Sequence, residues 1–99
     1  MTQETNCRLD TKAKVEAVVI GALQLRYPHY KITPKTKLDE TVGDEDARAT
    51  LLPGWMMEAT DDGGCETRLG SEDYRPMKTV QDIVDAIWED LKDKCDLQD

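Results

Sequence analysis

Phenylalanine is absent from this 99-residue chain, and its five large aromatics are two Trp and three Tyr. A core must therefore be built from Val, Leu, Ile, Ala and Met. Bases are scarce as well: 13 Lys and Arg face 21 Asp and Glu, a net charge of −8. Nucleic acid needs a basic patch to meet its phosphates, and an anionic membrane surface needs the same, so neither is an expected partner. No apolar run approaches the roughly 20 residues of a transmembrane helix. The first ten residues are polar and lack the apolar stretch of a signal peptide. The default expectation is a soluble, monomeric, cytoplasmic protein of a single domain.

Reactive side chains are few. The chain has one histidine, His29, in a loop beside Pro28, and one serine, Ser71. No glycine-rich phosphate loop occurs. The cysteines, Cys7, Cys65 and Cys95, are widely spaced and form no C-x-x-C pair. That excludes a zinc knuckle and a thioredoxin-type motif. Three free thiols are expected, with a Cys7–Cys95 bridge across the termini as the alternative. The run Asp44-Glu45-Asp46 invites a calcium loop. That template demands Gly at its sixth position and Glu at its twelfth, and the chain has Ala49 and Trp55 there. No metal site and no catalytic constellation is expected, so an enzyme is disfavoured.

The acids are not spread evenly. Between Asp39 and Asp73 eleven acids face only Arg48 and Arg68, a net −9, while the rest of the chain sums to +1. Such a segment is either a solvated surface or a face for a basic partner.

The apolar pattern is helical. Residues 1–10 read as a disordered lead-in. Val15, Val18, Val19, Ala22 and Leu23 line one face of a helix capped by Asp10 or Thr11 and ending near Arg26, ahead of Pro28. Residues 28–41 read as a long connection pinned by Ile32 and Leu38. A second helix is expected from about Asp44 to Leu52, with a kink or break at Pro53-Gly54 and a further turn through Ala59, because proline costs ~3 kcal/mol inside a helix. Asp61-Asp62-Gly63-Gly64 is a turn. Residues 65–69 read as extended, and a short helical turn follows with Ser71 as its N-cap. The last helix runs from Thr79 to Lys92 on Val80, Ile83, Val84, Ile87, Trp88 and Leu91. Gln81, Asp82, Asp85, Glu89 and Asp90 face outward, and residues 94–99 form a frayed tail. The fold class is all-α: three main helices plus a short helical turn, in one domain over 11–93.

This order of elements and several local strings resemble the acyl carrier protein family. Ile32-Thr33-Pro34 with Leu38 is similar to the family's first loop. Val42-Gly43-Asp44-Glu45-Asp46 lies where the family opens its second helix. Thr79-Val80-Gln81-Asp82-Ile83-Val84 with Ile87 is similar to the start of its last helix. The resemblance covers about residues 11–91 and implies a small helical bundle. In the family, a serine of the second-helix motif carries 4′-phosphopantetheine. Here that position is Asp46, and a carboxylate cannot form a serine phosphodiester, so no cofactor is expected. The family's flanking leucine becomes Ala47, and two of its acidic positions become Arg48 and Leu51.

The implied role is that of a non-catalytic docking or regulatory module for a basic partner protein, enzymes of acyl metabolism being among the partners it suggests. The residues expected to meet that partner are Asp44, Glu45, Asp46, Asp61 and Asp62. Two alternatives stand beside it. One is an active acyl carrier in lipid or polyketide-type synthesis, modified at Ser71, although only seven residues separate Ser71 from Thr79. The other is an acidic helical inhibitor or immunity-type protein that caps a basic site.

Overall fold

The computed structural model describes residues 8–95, with side chains through residue 92. Five helices follow one another: α1 (Lys12–Arg26), α2 (Leu38–Thr41), α3 (Glu45–Asp62), α4 (Ser71–Tyr74) and α5 (Val80–Cys95). The described residues form no sheet, only an isolated antiparallel bridge between Lys37 and Thr79. The architecture is all-α, with α1 packed on both α5 and α3, and α4 on α3. Among the described residues, no helix is long and apolar enough to cross a membrane.

The stripes expected from periodicity supply the core. Val15, Val19 and Leu23 of α1 are buried against Val80, Ile83, Val84, Ile87 and Leu91 of α5, and Leu52 and Met56 of α3 close the cluster. Thr11 caps α1 by accepting the Lys14 N–H at 3.2 Å. Thr79 and Asp82 cap α5 reciprocally: the Asp82 N–H donates to Thr79 Oγ1 at 3.3 Å, and the Thr79 N–H to Asp82 Oδ2 at 3.1 Å. Each bond satisfies an amide left without a partner at the helix start.

Several expectations are corrected. The helix does not break at Pro53, because α3 runs unbroken through its 18 residues with Pro53 inside. Leu52 and Met56 flank the proline and are fully buried. Two such burials stabilise by about 1.5–3 kcal/mol each, which offsets the ~3 kcal/mol that proline costs. The connection from Pro28 to Thr41 contains α2, and Ile32 and Leu38 are buried as its anchors. Its backbone is sewn to the start of α5, with Leu38 N–H donating to Lys78 O at 2.8 Å, Val80 N–H to Thr36 O at 3.0 Å and Gln81 N–H to Pro34 O at 2.8 Å. These bonds pair amides and carbonyls that a free loop would leave to water. Ser71 is the first helical residue of α4 and not its cap. Gly70 occupies that place and donates its N–H to Asp73 Oδ2 at 2.8 Å.

The lead-in is ordered closer to the N-terminus than its polarity suggests. Residues 1–7 lie outside the described residues, but Leu9 is buried, and the Arg8 N–H donates to Gly63 O at 2.8 Å. A Cβ on Gly63 would stand 2.9 Å from Leu9 Cγ, so glycine there leaves the room that Leu9 fills. At the other end, α5 continues to Cys95, beyond its expected end at Lys92, and residues 96–99 lie outside the described residues. Asp90 does not face outward freely. Its Oδ2 accepts the Thr67 hydroxyl and the Arg68 N–H, both at 3.0 Å, and so fixes residues 65–70 along α5. Three free thiols are also not what forms: the buried Cys65 is disulfide-bonded. The expected alternative, Cys7–Cys95, rests on side chains outside the described residues.

Candidate functional site

The five acids expected to meet a partner fall at the two ends of α3. Asp44 is its N-cap, accepting the Ala47 N–H on Oδ1 at 3.0 Å. Gly43, just before it, has φ +128°, and a Cβ there would lie 2.9 Å from the Ala47 Cβ. That positive φ and close approach let the chain turn sharply into the helix. Glu45 and Asp46 occupy the first turn, where negative charge is favourable to the helix dipole. Glu45 is exposed. Asp46 has an 87% exposed side chain and accepts Arg75 Nη1 at 2.7 Å. Arg75 also reaches Glu72 at 3.3 Å, and the two carboxylates hold its guanidinium pKa above the usual value.

Asp61 and Asp62 close the helix at its other end and are exposed. At 1.5 Å per residue, Asp46 and Asp62 stand about 24 Å apart along the axis. The structure therefore gathers the five residues into two clusters and does not make them one patch. Ser71 is exposed on α4. His29 is exposed too, in the turn after α1. Among the described residues, no three His, Cys, Asp or Glu side chains converge to hold a metal ion.

Arg48 is buried. Its Nη1 donates to Gly43 O and its Nη2 to Arg75 O, both at 3.0 Å. One guanidinium thus ties the entry of α3 to the end of α4. A planar fork suits two carbonyls in this way, and a lysine would not replace it.

A feature that sequence reasoning missed lies between α1 and α3. A cavity of about 480 Å³ opens there, lined by Val18, Ala22 and Leu25 on one side and Trp55 and Ala59 on the other. Leu25 is 79% exposed. The Arg26 guanidinium stands 4.7 Å from the centre of the Trp55 ring and pairs with Glu58 at 2.9 Å. Tyr27 meets Trp55 edge-on at 6.0 Å and Tyr30 at 6.1 Å. On the far side of Trp55 a second cavity, about 570 Å³, is lined by Met57, Asp61, Cys65 and Glu66 among others. Trp55 is itself partly buried against the core. The available signal was compositional: Tyr27, Tyr30 and Trp55 are three of only five large aromatics.

The bases collect elsewhere. Lys31, Lys35, Lys37 and Lys78 lie along the connection sewn to α5, where a cavity of about 440 Å³ is lined by Lys37, Arg48, Lys78 and Asp39. Comparison of the chain with protein-family models, with curated proteins and with solved structures finds no match.

Proposed function

We propose that this chain is a carrier-like helical domain without a prosthetic group, acting as a non-catalytic docking or regulatory module for a partner with a basic surface. What supports this reading most is the placement of Asp61 and Asp62. They are exposed in the last turn of α3, which contains no base. The carbonyl end of a helix is already negative, so an acid there is unfavourable by about 0.3–1 kcal/mol. The Arg8 guanidinium already donates to Asp62 O at that end, and a basic partner relieves the repulsion that the exposed carboxylates retain. Asp44, Glu45 and Asp46 offer a second point of attachment, at which a partner's base competes with Arg75 for Asp46.

The carrier-like part of the reading is supported by the order of the helices: a long connection, the long α3, the short α4 and the final α5. Asp46 stands in the first turn of α3, where the family bears its serine. The disulfide at Cys65 favours an oxidising compartment over the cytoplasm expected from the polar N-terminus.

Intact mass after co-expression with a broad-specificity phosphopantetheinyl transferase tests the missing group. The mass is expected to stay unchanged, and an adduct on Ser71 or any other residue overturns the reading. The docking half is tested by changing Asp44, Asp46, Asp61 and Asp62 to Asn and Glu45 to Gln. Partner retention should fall and become less salt-sensitive. Equal retention by the variant sinks it, and a basic nuclease as the partner moves the reading to an inhibitor.

A further inference from the structure

The surface around Trp55 has the make-up of a binding hot spot. Trp, Tyr, Arg and Met are enriched where partners bury a contact. Here Trp55, Arg26 and Met57 line the two cavities between and beside α1 and α3, and Tyr27, itself packed edge-on against Tyr30, meets Trp55 edge-on next to them. A chain without Phe, whose core is aliphatic, leaves Tyr30 half exposed and Met57 48% exposed instead of burying them. Gly21 and Gly54 lie on the two facing helices. A Cβ added to either would meet no atom within 4 Å, so the groove floor stays open. Its rim is acidic. Glu58, Asp61 and Asp62 border the cavities, and the one base among the lining residues, Arg26, is already paired with Glu58.

We propose that this groove receives one amphipathic helix of a partner protein, its apolar face on Trp55 and Leu25 and its flanks carrying Lys or Arg. The proposal rests on the docking reading and places its centre at α1 and α3 instead of at the acids of the α3 entry. Charge chooses the occupant. A second copy of this chain would bring the same acids against themselves, and an anionic lipid surface would be repelled. An apolar helix with basic flanks satisfies both the groove and its rim.

The probe is a synthetic helix of about 18 residues with Leu on one face and Lys and Arg beside it. Its control has Glu in place of every base. Binding is read from the amide and Trp indole NMR signals of the full chain. The basic peptide should shift Trp55, Leu25 and Met57, and the acidic control should not. Leu25→Lys keeps a good helix former at an exposed position and should weaken binding at least about tenfold without changing the melting temperature. Binding should also weaken as salt rises from about 0.1 M to about 1 M.

Binding that survives Leu25→Lys but is lost with Asp44→Asn, Glu45→Gln and Asp46→Asn overturns the groove and leaves the docking reading standing. If neither peptide shifts any signal, both fail. Equal binding of both peptides, binding to vesicles rich in phosphatidylserine, or dimerisation through Trp55 also overturns the proposal.

Discussion

Tyr74 carries a cost that its chemistry does not need. It is fully buried, its hydroxyl has no hydrogen-bond partner among the described residues, and burial pushes that hydroxyl's pKa well above its usual value. An unpaired buried hydroxyl is unfavourable, whereas the ring fills the space beneath α4. Tyr74→Phe, which would introduce the residue type this chain lacks, should therefore raise unfolding stability by about 1 kcal/mol in urea melts. A loss of stability would mean that the hydroxyl is bonded after all. Arg48 shares that cost in part: its Nε is buried without a partner among the described residues, but its Nη1 and Nη2 donate to Gly43 O and Arg75 O, so the burial of its charge is offset by a join between the entry of α3 and the end of α4.

Helices here respond to what surrounds them as much as to their own composition. Gly21 lies within α1 with open space where a Cβ would stand, so Gly21→Ala should stabilise by about 0.5–1 kcal/mol. Gly63 has an ordinary φ of −86°, yet a Cβ there meets Leu9. Gly63→Ala should destabilise by about 1–3 kcal/mol, and thermal melts of the two variants should move in opposite directions. At the C-terminal end of α3, Asp61→Lys should stabilise the isolated protein by about 0.3–1 kcal/mol while weakening its attachment to a basic partner. Unchanged attachment would remove the argument that these acids are kept for docking.

Across the whole molecule, the ion pair between Lys12 and Asp85, 2.7 Å long, joins the start of α1 to α5. Lys12 holds the Asp85 pKa below its ordinary 3.8, and Lys14 does the same for Asp10. A carboxylate with a lowered folded pKa adds stability above its unfolded value, and that contribution is lost as pH falls through the folded value. The same contact raises Lys12 above 10.5, so its part is present below that pH and lost above it. Urea melts should show a loss of stability on acidification below about pH 4, and Asp85→Asn should flatten that limb. An unchanged acid slope in the variant would show that the pair contributes nothing.

The amphipathic stripes of α1 and α5, their Thr caps and the all-α class were legible in the sequence because each depends on residues within one or two turns. Ile32 and Leu38 were recognisable as anchors because they stand alone in a polar stretch. The segregation of charge into residues 39–73 was equally a property of the chain. Other features depended on partners distant in sequence. Burial of Leu52 and Met56 carried α3 through Pro53, the space beside Gly63 drew Leu9 into the core, and Asp90 was claimed by Thr67 and Arg68. The groove at Trp55 exists only because α1 and α3 lie side by side. Periodicity states which face of a helix is apolar, but the packing of its neighbours decides how much of that face is covered.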